Sequence, residues 1–266
     1  MGALFIFALI ATTVYANNGI SEDFFTGNNG IKAAEAASPM WHMASGSCLP
    51  GAAEDGQGHQ TNGVDISVVL CGINQNQAGG CADSTYRGPN WPYANIPGEP
   101  FQQIPTYYKV AYCPGDDSWR VSYHVYFKHD VSHKSDFEWA VVKFTKQSDG
   151  LWYRYGLLME TDGDYGVGFW NDVPSTFDST DDQMQDGNKQ RNHAKLYFGK
   201  RSHSVHYDME SRNKNTCIKP DFRANDFQFW SLYNLRHESV IDFAWTYGQA
   251  SNPRSVDICD NKGHTF

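Results

Sequence analysis

Trp119-Arg-Val121-Ser-Tyr123-His-Val125-Tyr-Phe127, followed by Asp136-Phe-Glu138-Trp139-Ala-Val-Val-Lys-Phe144, decides the fold class. In the first stretch large apolar residues alternate with mostly polar ones, the period-two pattern of a half-buried strand. In the second, Phe137 and Trp139 share one side and Asp136 and Glu138 the other, because successive side chains on a strand point to opposite faces. The linking Asp130-Val-Ser-His133-Lys-Ser makes the unit a hairpin whose tip and one face carry acids.

Further strands are read at residues 151–158, 166–170, 194–198 and 204–207, while 226–233 fits strand or helix and 31–37 a short helix. Residues 41–119 are rich in Gly, Pro, Asn and Asp, which excludes long helices and calls for turns and disulfides. The Asp-rich stretch 171–189 reads as a solvated connector. Many short strands, 15% aromatic residues to fill a core and few helical periods predict a mainly β chain, an antiparallel β-sandwich. At 266 residues one such domain suffices, and no internal repeat divides it.

Residues 1–16 have a short apolar centre and small residues at the last and third-last positions, so they read as a signal peptide cut after Ala16. Residues 17–40 then form a mature amino-terminal arm, and 41–266 the domain. The apolar run is too short to span a bilayer and none later is longer, so secretion without a transmembrane segment is expected. Six cysteines, Cys48, Cys71, Cys81, Cys113, Cys217 and Cys259, suit disulfides in an oxidising compartment and allow fifteen pairings. No Cys-x-x-Cys favours zinc. A formal charge of −9 argues against nucleic acid and anionic membranes as general partners. There is no Asn-x-Ser/Thr triplet for an N-linked sugar.

Asp130, His133, Asp136 and Glu138 fall within nine positions. Three carboxylates so close resist ionising together unless a cation offsets their repulsion, and hard ions such as Mg²⁺ and Ca²⁺ choose oxygen ligands. A histidine among them is more usual for Mn²⁺, Fe²⁺ or Zn²⁺, so a divalent ion is expected, with Mg²⁺ or Ca²⁺ preferred. A purely structural hairpin tip would instead use these residues for turn hydrogen bonds and Glu138 for an exposed cross-strand salt bridge.

Ser132-His-Lys-Ser-Asp-Phe-Glu138 resembles the Gly-His-Arg-His-Asp-Trp-Glu heptapeptide of the necrosis- and ethylene-inducing (Nep-like) proteins. Trp41-His-Met-Ala-Ser-Gly-Ser-Cys48-Leu-Pro, Gly79-Gly-Cys81, and Val121-Ser-Tyr-His-Val-Tyr-Phe-Lys-His-Asp130 are similar to further segments of that family, in the same order. So are Ile241-Asp-Phe-Ala-Trp245 and the terminal Cys259-Asp-Asn-Lys-Gly-His-Thr-Phe266. The resemblance spans about residues 41–266 and is that of a divergent member.

It implies a β-sandwich flanked by short helices, akin to actinoporins and fungal lectins, and no catalytic residue. It implies metal ligation by Asp130, His133, Asp136 and Glu138, with His129 a neighbouring substitute for Asp130 because the loop to His133 is shorter than the family's. The implied function is recognition of a host membrane glycosphingolipid through its glycan head group, followed by membrane damage, by a monomer. The family's first two cysteines imply Cys48 with Cys81, leaving Cys71 with Cys113 and Cys217 with Cys259 as the remaining expected pairs. The family's second heptapeptide His is Ser135 here, its Trp is Phe137, and a supporting loop His falls on Asp162. The sugar-contacting loop falls on Gly199-Lys-Arg-Ser-His203, which keeps the His and lacks the Trp. Asp162 and His203 are therefore the receptor-binding candidates, and the metal site is better supported than cytolysis.

Two alternatives remain open, a metal-assisted hydrolase of extracellular glycan or ester and a sugar-binding lectin without lysis. His203 and His206 otherwise read as exposed strand histidines, and Trp91, Trp119, Trp152 and Trp230 as core aromatics or a carbohydrate platform. No nucleophile elbow, phosphate loop or zinc-protease helix motif occurs.

Overall fold

The computed structural model describes residues 17–43, 49–55, 57–64, 105–130, 133–161, 163–178, 189–199, 203–208, 227–230 and 234–266. The strands there are β1 (Met40–Met43), β2 (Thr106–Cys113), β3 (Ser118–His129), β4 (Lys134–Lys146), β5 (Trp152–Glu160) and β6 (Tyr165–Phe169). They continue with β7 (Thr176–Phe177), β8 (His193–Phe198), β9 (Val205–His206), β10 (Phe227–Trp230) and β11 (Leu235–His237). Two short helices, α1 (Asp23–Thr26) and α2 (Ile31–Ala37), precede them.

One sheet has six strands in the order β11-β2-β3-β4-β5-β6, and the other five, β10-β1-β8-β7 with β9 on β8. The β-sandwich expected from the strand pattern is thus present. Pairing in the six-stranded sheet is antiparallel except for β11 on β2, and β3–β4 sets Phe127 opposite Asp136 and Val125 opposite Glu138. β10 resolves the strand-or-helix ambiguity at 226–233 in favour of strand.

Tyr123, Val125, Phe127, Ala140, Val142 and Phe144 from the larger sheet meet Trp41, Leu196, Phe198 and Val205 from the smaller one. Phe25, Ala33, Ala34 and Ala37, from the segment read as an arm, enter the same core, and the Tyr123 hydroxyl donates to the Ala34 carbonyl at 2.8 Å. Trp152 also belongs there and the partly buried Trp119 packs against it, which fits the core reading of those aromatics. Trp91 lies outside the described residues.

The outer face of the six-stranded sheet is covered as well. The carboxy-terminal segment packs Ile241 and Tyr247 on Tyr107, Tyr126 and Phe137, then Val256 and Ile258 on Trp139, Val141 and Leu158. Arg120, fully buried, donates to the Ile258 carbonyl at 3.0 Å and to Asp116 at 2.7 Å. With apolar partners on both faces, β4 buries nearly every residue, so its acids and its aromatics are both inside.

Cys113, which ends β2, bonds to Cys259 with 5.4 Å between Cα atoms. This overturns the expected pairs Cys71 with Cys113 and Cys217 with Cys259. The reason is topological: the carboxy-terminal segment returns over the sheet edge where β2 ends, bringing Cys259 to Cys113. Cys48, Cys71, Cys81 and Cys217 lie outside the described residues, as do residues 1–16.

Candidate metal centre

The acids of β4 point into the sandwich, on the face shared with Val125 and Phe127. Asp130, just past β3, and His203, between β8 and β9, approach them from the two sheets. One ligand atom each from Asp130, Asp136 and His203 falls within 4.8 Å of the others. His203 Nδ1 stands 3.6 Å from Asp130 Oδ1 and 3.6 Å from Asp136 Oδ2.

His133 Nε2 lies 3.6 Å from Asp130 Oδ2, while its Nδ1 donates to the Ser135 carbonyl at 2.9 Å. The His133 side chain, 19% exposed against 6% for Asp130, is the most open member of an otherwise buried cluster. Glu138 sits deeper. His129 instead donates from Nδ1 to the Asp130 carbonyl at 3.3 Å, so Asp130 and not His129 joins the central group.

Burial raises the Asp136 carboxyl to about 7, a rise opposed by His133, increased by Glu160 and opposed by a hydrogen bond with Glu138. Burial also lifts Glu138 well above the usual carboxylate range, with Glu160 and Asp136 adding to the rise. His203 is held neutral: burial lowers it to about 4, although Asp130 favours its protonation. Glu138 Oε2 and both ring nitrogens of His203 are buried without a hydrogen bond. Buried polar atoms without partners are costly, and acids forced together resist ionising unless a positive charge joins them. Two carboxylates, a neutral imidazole and a nearby third carboxylate therefore fit a divalent cation.

Of the four ligands expected from the hairpin, Asp130 and Asp136 are in the central group, and His133 and Glu138 lie at its rim and floor. The expected exposed strand histidines are both buried, because β9 is packed under the sandwich edge: His203 is fully buried and His206 5% exposed. His203 joins the carboxylates rather than presenting itself on the surface, a placement that spacing could not supply across more than sixty residues. Asp162 lies outside the described residues.

No protein-family model and no curated protein matches the sequence. Among solved structures, NLPPya in complex with glucosamine is similar at 15% identity and a TM-score of 0.50, over 84% of this chain and 83% of that one. The chain has the NLP fold, that of the necrosis- and ethylene-inducing proteins. This bears out, at the level of architecture, the resemblance read from the heptapeptide and its flanking segments. Two other NLP structures are similar at 15% identity: NLPPya with mannosamine (TM-score 0.47, 83% and 81% covered) and a non-toxic HaNLP3 (0.46, 84% and 85%). In the NLP fold of this chain the metal-compatible cluster closes one end of the sandwich interior.

Proposed function

We propose that the chain is a divergent, secreted NLP-type effector that holds a divalent cation, Mg²⁺ or Ca²⁺, and with it recognises the glycan head group of a host membrane glycosphingolipid. The observation that carries the reading is the meeting of Asp130, Asp136 and His203 within 4.8 Å, two acids and an imidazole sealed into one end of this fold. Those three residues would hold the ion, with His133 and Glu138 beside it. The ion would supply the charge that lets the acids ionise together and an electrophilic point for sugar hydroxyls. His133 stands where a ligand would enter.

Glucosamine bound to NLPPya supports an amino sugar as part of the ligand. No bond is made or broken in this scheme, which is that of a binding protein and not an enzyme, working as a monomer. Gly199 stands where an aromatic would offer sugar a stacking face, so lysis is the less supported half of this reading.

Calorimetry with Mg²⁺ and Ca²⁺, followed by dye release from vesicles containing glycosylated sphingolipid, tests the reading. Binding lost in D136A/E138A and head-group-dependent vesicle binding are expected. A protein with no affinity for either ion would overturn it, and binding without leakage would leave a non-lytic lectin. A second reading, a metal-assisted hydrolase, draws on the buried carboxyls of Asp136 and Glu138, either of which would activate a water beside the ion. Turnover on a glycan and ester panel, lost in E138Q, would favour it.

A further inference from the structure

Ser135, the second residue of β4, has φ +63°, a left-handed conformation that non-glycine residues seldom adopt and that is foreign to a strand. Its hydroxyl lies 2.9 Å from the Tyr126 hydroxyl, and its carbonyl accepts the His133 Nδ1 proton at 2.9 Å. A neutral imidazole carries one ring proton, so donation from Nδ1 leaves the lone pair on Nε2. Nε2 is the nitrogen that faces Asp130 at 3.6 Å.

We infer that Ser135, clamped by Tyr126, is the positioning residue that fixes His133 in the tautomer and direction a cation requires; this rests on the cation-site reading above. An extended Ser135 would turn its carbonyl away, and the His133 ring would lose the acceptor that sets it.

The conformation persists because its surroundings dictate it. Tyr126 is fully buried, with Phe137 and Tyr247 rings at 5.2 and 5.6 Å. From the other side the 57–64 loop is tied down by the Val64 amide, which donates to the Lys128 carbonyl at 2.7 Å. Gly63 of that loop lies so close that a Cβ would collide with the Ser135 hydroxyl, the Lys128 carbonyl and the Lys134 side chain. Ser135 and Tyr126 stand on the face opposite the acids, so the direction of a rim ligand is set through the sheet from its outer side. Outer contacts of this kind commonly fix the orientation and basicity of a ligating histidine.

Nitrogen-15 NMR of the His133 ring in cation-free protein, with Ca²⁺ and Mg²⁺ calorimetry, tests the inference in the wild type, S135G, S135V and Y126F. The wild type is expected to show the Nδ1-protonated form. S135G takes a left-handed φ without steric cost but loses the hydroxyl that Tyr126 holds, so it should shift the ring no further than Y126F does. S135V, β-branched and ill suited to positive φ, should show mixed tautomers and about tenfold weaker binding, and Y126F a shift in the same direction. Wild-type tautomer and affinity in both S135V and Y126F would overturn the inference, and if S135V fails to fold, an unchanged ring in Y126F does so alone. A wild type that binds no ion would overturn the functional reading, while the ring measurement on cation-free protein still judges the positioning role.

Discussion

His203 lies flat against Phe127, with ring centroids 3.9 Å apart and planes within 6° of parallel. Phe127 belongs to the six-stranded sheet and His203 follows β8 of the other, so the stack joins the two layers at the end where His203 meets the carboxylates. His203 itself sits at φ +55°.

Phe127→Leu keeps an apolar residue under His203 but removes the flat face that orients its ring. Cation affinity is expected to fall about tenfold, the lower end for groups that orient metal ligands. Titration calorimetry checks this, and an unchanged dissociation constant would mean the stack does not set the ring.

Glu138→Gln should act with opposite sign in the two states of the site. Without cation it removes a buried carboxyl crowded by Glu160 and Asp136, and the melting temperature should rise. With saturating Mg²⁺ or Ca²⁺ the variant should be the less stabilised protein, since binding to the native state adds stability in proportion to affinity. Paired melts with chelator and with ion give the answer, and a variant that is less stable in both would refute the crossing.

The stability of cation-free protein should depend on pH in two directions. Asp136, at about 7 in the fold against an ordinary 3.8, keeps a proton the unfolded chain has released, so its contribution is lost as pH rises from about 4 to about 7. His124 and His193, lowered by burial to about 3 and about 4, stay neutral in the fold, while the unfolded chain takes up protons below about 6.5. Their contribution is therefore lost as pH falls below about 6.5. Added cation should offset the first loss and leave the second unchanged, so the gap between loaded and chelated melts widens from pH 5 to 7.5. A gap independent of pH would count against ionised carboxylates as the ligands.

C113S/C259S should lose about 2–5 kcal/mol, as native disulfides in secreted domains commonly contribute. The loss should begin locally, because the bond fastens the segment that covers Trp139, Val141 and Leu158. Hydrogen exchange should rise first in residues 253–266 and only later in β3 and β4. Uniform acceleration across the chain would argue instead for a purely global effect.

Much of this fold was legible from alternation alone. Residues 119–127 and 194–198 fall inside β3 and β8, whose apolar side chains pack with a period of two, and all but Leu151 of 151–158 lies in β5, where a register shift breaks that period. Thr106-Tyr-Tyr-Lys-Val-Ala-Tyr-Cys113 escaped notice as a strand: β2 is covered on both faces and shows no clean alternation, and it follows a stretch crowded with turn residues. Alternation placed Asp136 and Glu138 together but could not say that theirs was the interior face, since that depends on which sheet lies opposite. The hairpin acids were legible from spacing. His203 as their companion was not, for its position is fixed by the packing of a second sheet. Cys113 with Cys259 was likewise beyond pairing rules, because a bond spanning 146 residues records where the chain ends its return.

Because Asp130 and Asp136 are carried by one sheet and His203 by the other, an ion among them would act as a rivet between the layers. The molecule's rigidity would then follow the mineral content of the fluid around it, and a medium stripped of divalent ions would loosen the sandwich at the end where the two acids and His203 meet.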